Sequence, residues 1–257
     1  DYKLNLYNAD NNVFINIPLF NNSINLSLIY NHQNRNILKD IGKGFSLNYY
    51  MHLDGDSINP YLVEADKMTN LYSSYYTSIK DERTYDLTFY EDDDNPSVCD
   101  LTITDFRQNE IYMITQRKYP DYINLRNGYQ LIFDFDQYHK LIRIKDKKNN
   151  TIFNKLEFTY KENTNLISKI KYYDSNDVLV SYVKFCYDET NNYLTKIRYK
   201  SNQNLEVARL EFQYNSNYLL ITTYDSNVPV DEFQYNFNSN NKITSIYDKI
   251  DLINSFT

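Results

Sequence analysis

The chain has 257 residues, with 27 basic against 34 acidic side chains, a formal net charge of −7 and a pI near 5.0. That balance argues against a nucleic-acid binder, which needs a basic surface to displace counterions. No run approaches the ~18 consecutive apolar residues of a membrane-spanning helix. Cys99 and Cys186 form no C-x-x-C motif and are too few for a disulfide framework, so they read as two free or buried thiols.

The composition is weighted to 28 Tyr, 14 Phe and 36 Asn, against 3 Ala and 4 Gly. Tyrosine and phenylalanine favour the half-buried surface of a strand, and asparagine favours turns. Alanine, the best helix former, is almost missing. An all-β fold with many short connections is expected. The chain starts at Asp1 with no Met and no charged-then-apolar leader, and reads as an excised fragment or a mature product.

Residues 1–126 alternate polar and apolar residues in short stretches. Asn25–Tyr30, Phe45–Tyr49, Thr84–Tyr90, Leu101–Phe106 and Glu110–Ile114 read as strands. Tyr61–Tyr75 suits either a short helix or two strands, and strands are favoured. Pro18, Pro60, Pro96, Pro120 and Pro229 belong at strand edges or loops. The acidic run Glu91–Asp94 is a solvated loop tip. This region holds 11 basic and 18 acidic residues, whereas residues 127–257 hold 16 of each.

From Gly128 onward one phrase recurs. Its first strand carries three apolar residues at period two: Leu131, Phe133, Phe135; Leu156, Phe158, Tyr160; Val183, Phe185, Tyr187; Leu210, Phe212, Tyr214; Phe233, Tyr235, Phe237. A polar turn follows, and then a second strand with Leu141 and Ile144, Leu166 and Ile170, Leu194 and Ile197, or Ile243 and Ile246. The central aromatics lie 25, 27, 27 and 23 residues apart. A near-fixed period marks a repeat architecture, in which each unit buries its face only by stacking on its neighbours. Serial antiparallel hairpins in a curved or spiralling sheet are expected, because a long sheet must twist and curl to cover its apolar face. The expected organisation is an N-terminal β-rich region, 1–126, and about five hairpin repeats, 127–257, in one continuous sheet. The buried face should hold Phe133, Phe158, Phe185, Phe212 and Tyr235, with Tyr173 and Tyr199 as strand-end rings that keep water contact. The strands near Tyr2–Tyr7 and Phe233–Phe237 are expected to be open edges.

These units resemble the YD repeats of the RHS (rearrangement hot spot) family. Tyr187-Asp188 followed by Leu194 and Ile197 is the closest copy, and Phe135-Asp136 with Leu141 and Ile144 is next. Tyr160-Lys161, Tyr214-Asn215 and Phe237-Asn238 keep the aromatic without the acid. Upstream, Ile24–Asn31 followed by Ile41-Gly42-Lys43-Gly44-Phe45-Ser46-Leu47-Asn48-Tyr49 resembles the stretch that precedes RHS repeats. The two glycines would allow a positive-φ kink between paired strands. The resemblance implies a spiralling β-sheet shell in a large, secreted or surface-exposed bacterial protein. It also implies further repeats and a C-terminal region of the full-length chain as partners.

Chemistry-bearing motifs are sparse. No G-x-S-x-G, H-E-x-x-H or P-loop is present. His32 and His139 read as loop residues, with no catalytic base implied. Asp54-Gly55-Asp56 could start a calcium loop, but the later ligands are missing and a plain turn is favoured. No catalytic, cofactor or metal residue is therefore assigned. Two functional readings follow. The first is a non-catalytic structural module of a β-sheet shell. The second is an adhesive module binding carbohydrate or a cell-surface partner, because surface tyrosines among asparagines offer flat apolar area with adaptable hydrogen bonds.

Overall fold

A computed structural model of the chain describes residues 6–9, 12–17, 24, 26–55, 60–63, 68–70, 86–92, 95–104, 110–114 and 119–248. Tyr2, Pro18, Asp56, Tyr75, Asp94 and Phe106, which the sequence assigns to strands or turns, lie outside the described residues. The described chain is all-β and antiparallel, with one 3₁₀ turn at His32–Asn34.

The first strands are β1 (Leu6–Ala9), β2 (Asn12–Asn16), β3 (Ser27–Asn31), β4 (Leu38–Lys39), β5 (Gly42–Lys43) and β6 (Phe45–Leu47). They form a four-stranded sheet in the order β1-β2-β3-β6, with β4 and β5 as a small separate hairpin. A three-stranded sheet follows from β7 (His52–Gly55), β8 (Pro60–Val63) and β9 (Met68–Asn70). The next strands are β10 (Asp86–Asp92), β11 (Asn95–Thr104), β12 (Glu110–Ile114), β13 (Tyr119–Asn124) and β14 (Gln130–Phe135). Then come β15 (Leu141–Lys148), β16 (Thr151–Tyr160), β17 (Ile167–Tyr173), β18 (Leu179–Tyr187) and β19 (Leu194–Ser201). The last are β20 (Glu206–Tyr214), β21 (Tyr218–Asp225), β22 (Val228–Phe237) and β23 (Ile243–Asp248). Among the described residues, these 14 strands make one sheet in sequence order, from β10 to β23. The division drawn at residue 127 therefore falls in a turn between β13 and β14, inside a sheet that reaches back to Asp86.

Period-two alternation sets which side of each strand is covered. Along β16, Leu156 and Phe158 are buried while Thr159 between Phe158 and Tyr160 is exposed. Val13 and Ile15 of β2, Leu28 and Tyr30 of β3 and Phe45 and Leu47 of β6 belong to one apolar cluster with the buried apolar residues of β13 to β22, while Phe14 and Ile29 pack separately on the other face. The four-stranded sheet and the long sheet thus share a core. Phe133, Phe158, Phe185, Phe212, Tyr235 and Phe237 are buried in it; Phe135, Tyr160, Tyr187 and Tyr214 pack against it half-buried. On the outer face opposite charges meet across strands. Asp134 pairs with Lys145 (2.8 Å) and Arg143 (3.2 Å), and Lys196 with Glu211 (2.8 Å). Such surface pairs contribute only ~0–1 kcal/mol each.

Two expectations need correction. Tyr199 is 4% exposed rather than water-facing, because it pairs with Val183 and so points to the inner face. Phe233–Phe237 is not an edge, since β22 is paired on both sides; among the described strands β23 lies at that margin. On β23, Ile246 is 49% exposed.

Turn chemistry explains what the recurring Tyr-Asp does. Asp136 Oδ1 accepts the amides of Tyr138 (2.8 Å) and Lys140 (2.9 Å), and Asp188 Oδ1 those of Thr190 and Asn191 (both 2.7 Å). Asn215 and Asn238 do the same with their side-chain carbonyls. The turn needs an acceptor and not a charge, so Asn replaces Asp freely. At Lys161 the Thr164 hydroxyl takes over, accepting the amide of Leu166 (3.1 Å). Among the described residues, seven of the ten non-glycine positions at positive φ are asparagines, which ties much of the asparagine excess to turns.

The strand-end tyrosines act as staples. Tyr160 pairs by backbone with Ile167 in β17, while its hydroxyl donates to the Leu141 carbonyl in β15 (2.9 Å). Tyr187 likewise donates to Ile167, and Tyr214 to Leu194. Each ring therefore ties three successive strands. Register shifts immediately precede Phe135, Tyr160, Tyr187 and Phe237 but not Tyr214, so four of the five strand-end aromatics sit at bulges, which re-aim side chains.

Deleting a buried ring costs ~3–5 kcal/mol. Phe185→Ala and Tyr199→Ala should therefore each lower stability by that amount, with Tyr173→Ala losing less than half as much. Urea midpoints at constant m-value measure the three; equal midpoints would contradict the assignment of faces.

Candidate functional site

The β4–β5 hairpin is where the N-terminal strands meet the ends of the repeats. Gly42 and Gly44 have φ of +100° and +78°, values that side chains of L-residues rarely adopt. Space is missing as well. A Cβ on Gly42 would lie 2.8 Å from the Asn192 carbonyl oxygen, and one on Gly44 2.9 Å from the Tyr30 ring. The close approach allows two backbone bonds. Lys43 N–H donates to the Asn192 carbonyl (3.2 Å), and Ile167 N–H donates to the Asp40 carbonyl (2.8 Å). Around them, the Lys43 ammonium lies 5.1 Å from the Tyr193 ring centroid, and the Tyr193 hydroxyl donates to Asn36 Oδ1 (3.3 Å).

Beside this insertion lies a cavity of about 190 Å³, between Tyr49–Met51 on one side and the repeat turn at Tyr138–Leu141 on the other. Asp40, Tyr119, Phe135 and Tyr160 complete most of its wall. Tyr119 forms the centre of an aromatic cluster: Phe135 lies at 5.0 Å between centroids, His139 is stacked at 5.5 Å and 21°, and His52 lies at 5.9 Å. The Lys140 ammonium donates to the Thr164 carbonyl (2.8 Å) and sits 5.2 Å from the Tyr160 centroid.

One polar group in this wall is incompletely satisfied. Asp40 Oδ2 accepts the Leu47 amide (3.4 Å), but Oδ1 is closed to solvent and has no hydrogen-bond partner among the described residues. An unmet buried acceptor costs ~1–3 kcal/mol. Burial pushes the Asp40 carboxyl up to about 7, against the smaller opposing pull of the Leu47 amide and the Lys39 ammonium.

His32 differs from its reading as a plain loop residue. His32 opens the 3₁₀ turn but is fully buried, stacked on Phe237 at 3.8 Å and 3°. Its Nε2 lies 3.3 Å from the Ser216 carbonyl, which can only accept, so Nε2 carries the proton and Nδ1 accepts from the Tyr30 hydroxyl (3.0 Å). His32 is thus a neutral tether between β3 and the last repeats. Burial, helped by Arg35 and opposed by the Ser216 carbonyl, pushes it down to about 4. His139 is exposed in its turn, at φ 62°, and stacks on Tyr119 at the cavity.

Of the ten repeat-core residues expected from the sequence, Phe135 and Tyr160 line the cavity, while the other eight serve the shared core. Asp40, Tyr49, Tyr50 and Tyr119 were not singled out. The only sequence signal near them is the G-x-G next to Asp40. Cys186 is a free, half-buried thiol on β18. Asp54 and Gly55 fall in β7, as strand rather than a calcium loop. Among the described residues no group of three or more His, Cys, Asp or Glu is placed to hold a metal ion.

The sequence matches no protein-family model and no curated protein. Among solved structures it is similar to a porin-like protein from Bacteroides uniformis, at 11% identity and a TM-score of 0.25 over 91% of this chain. The chain spans 58% of the length of that protein.

Two outcomes are expected. Gly42→Ala should destabilise by at least ~2 kcal/mol, since left-handed backbone costs ~1–2 kcal/mol before the Asn192 clash is counted; a denaturation midpoint unchanged from the parent would refute the contact. The second outcome concerns His32. The unfolded ring binds its proton near 6.5 and the folded ring only near 4, so the unfolded state takes up protons first as pH falls. The parent's stability relative to His32→Gln should therefore shrink between pH 6.5 and 4 and level off below. Parallel pH–stability curves for the two proteins would show that His32 is not held neutral.

Proposed function

We propose that the chain is a non-catalytic structural repeat module, a stretch of curved β-sheet wall in a large secreted or cell-surface protein of the RHS, YD-repeat kind. The observation that carries this reading is the shared core. Rings from Phe133 on β14 to Phe237 on β22 are buried in one cluster with the four-stranded sheet. Eight strand spacings at ~4.8 Å extend ~38 Å, whereas four strands cover only ~14 Å. A flat sheet would leave most of those rings wet. Curvature is what lets so few N-terminal strands cover so many repeats.

The tyrosine staples suit a wall as well. Each links only successive strands, so units add by nearest-neighbour contact, as in repeat proteins generally. The natural partner of such a wall is more of itself. The backbone of β23 is paired with β22 alone among the described strands, and Ile246 and Tyr247 are exposed on it. Unpaired strand edges recruit further strands. The resemblance of Gly42-Lys43-Gly44-Phe45 and Tyr187-Asp188 to the RHS pattern supplies the family, and with it the secreted or surface setting.

Grafting one more hairpin tests the wall. Residues 202–225 copied directly after Asp248, replacing 249–257, should pair with β23, raise the strand content and slow amide exchange at Ile243–Asp248. Amides of β23 that exchange as fast as in the parent would count against the proposal.

A further inference from the structure

The geometry points to the end of the long sheet remote from the Gly42–Gly44 seam as a docking surface for a second copy of itself, two apolar rims meeting antiparallel about a two-fold axis. This goes beyond the wall proposal, in which strands are added side by side. Here strand ends meet strand ends.

The two ends of the sheet differ. At the seam end the turns are tied to the N-terminal region: the Asn192 carbonyl accepts from the Lys43 amide, the Ser216 carbonyl from His32, and Asn241 Oδ1 from Arg35 (2.6 Å). At the other end lie the turns that lead into β16, β18, β20 and β22, and one irregularity recurs there. The register of each of these strands against the one before it skips a single residue near its start. The skipped residue is Phe153, Val180, Val207 or Val230. A bulge re-aims a side chain, and all four of these carry an apolar one. Val180 and Val230 are exposed, Phe153 is exposed although its ring meets Tyr129 (5.9 Å), and Val207 is half-buried. Two residues before the valines stand Val178, Leu205 and Val228, each more than half exposed, and Ile152 precedes Phe153. Each hairpin thus adds one apolar step. Steps on every second strand are ~9.6 Å apart, so four of them make a ridge ~29 Å long. Contiguous exposed apolar surface marks an interaction site.

Spacing and charge select the occupant. A strand presents same-face side chains every ~6.8 Å and a helix a turn every ~5.4 Å, so neither stays in register with the ridge over four steps. An identical rim does. Charge alternates from step to step beside the apolar residues: Lys147, Asp174, Lys200, Asp225. Lys147 lies across its hairpin from Ile152, and Asp225 across from Val228. Reversed, that order is its own complement, whereas two rims running the same way would set like against like. A two-fold axis between the second and third steps places Lys147 opposite Asp225 and Asp174 opposite Lys200. The nearby Asp177 and Glu206 are already paired within the chain, with Lys155 and Arg209.

The test is sedimentation equilibrium of the whole 257-residue chain at concentrations from ~1 μM to ~1 mM. A monomer–dimer equilibrium should appear. Leu205→Lys puts a charge on an exposed side chain, so the urea midpoint should stay at the parent value while the dissociation constant rises about tenfold or more. Lys147→Glu should also raise it, and adding Asp225→Lys to the same chain should restore it, because each copy carries both halves of the pair. A monomer at every concentration, a dimer that Leu205→Lys leaves as tight as the parent, or a double swap no tighter than the single one would overturn the docking surface. A dimer broken by Ile246→Lys and not by Leu205→Lys forms through the β23 edge, and overturns it too. None of these outcomes decides the wall proposal, which rests on the grafted hairpin.

Discussion

Everything else in the molecule depends on two backbones approaching without a side chain between them. At Gly42 the chain runs so close to Asn192 that a Cβ would stand 2.8 Å from its carbonyl oxygen. That contact, with the Ile167–Asp40 bond beside it, fixes the N-terminal hairpin against the ends of two repeats 25 residues apart in sequence. Neither partner has an adequate core alone. Among the described residues the apolar face of the long sheet shares one cluster with β2, β3 and β6, and β1, β2, β3 and β6 are a small sheet of four short strands. Two or three such strands are marginal in water unless an apolar face is packed. A glycine is required where they join because the bond geometry leaves room only for hydrogen and because φ is positive there.

The same economy explains the composition. Tyrosine is abundant because one residue can do two things at a strand end: its ring packs on the core and its hydroxyl reaches a backbone carbonyl in the preceding strand. Phe135 and Phe237 occupy the equivalent places without a hydroxyl, so packing alone suffices there, while the three middle units carry the additional tie. Asparagine is abundant because each turn needs a residue that tolerates positive φ, and another that offers an acceptor to nearby amides. Neither job requires a charge. Most ion pairs lie on the outer face, where Arg209 joins Glu206 and Glu211 and Lys155 joins Glu157 (3.2 Å), whereas Asp146 is buried and accepts from Asn154.

What the sequence revealed was what repeats or alternates. Period two placed Phe133 through Phe237 on a common face, and the recurring aromatic-x-aromatic pattern gave the hairpins. Such features are local, so a window of ten residues contains them. Tyr199 was misread because a ring next to a charged strand end looks exposed, and only its pairing with Val183 reveals the inward direction. His32 was misread for a stronger reason: its partner Ser216 lies 184 residues away. Asp40 and Tyr119 escaped in the same manner. They meet only because the G-x-G hairpin enters the seam, and the glycines announced a kink without saying what it would touch.

The seam holds two ionisable groups that are both kept neutral, and their effects on stability oppose each other. The folded His32 stays unprotonated down to about 4, while the unfolded ring charges near 6.5, so its contribution declines as pH falls through that window. Asp40 behaves in the reverse sense. Its folded carboxyl keeps a proton up to about 7, while the unfolded one ionises near 3.8, so its contribution declines as pH rises between those values. Between roughly pH 4 and 7 the folded seam therefore carries no charge at either place, and the two slopes offset one another. Burying a single ionisable group at a joint would make the joint fail in acid or in base. Burying one of each kind sets the two contributions against each other, so the pH dependence of the junction is smaller than either group alone would give it.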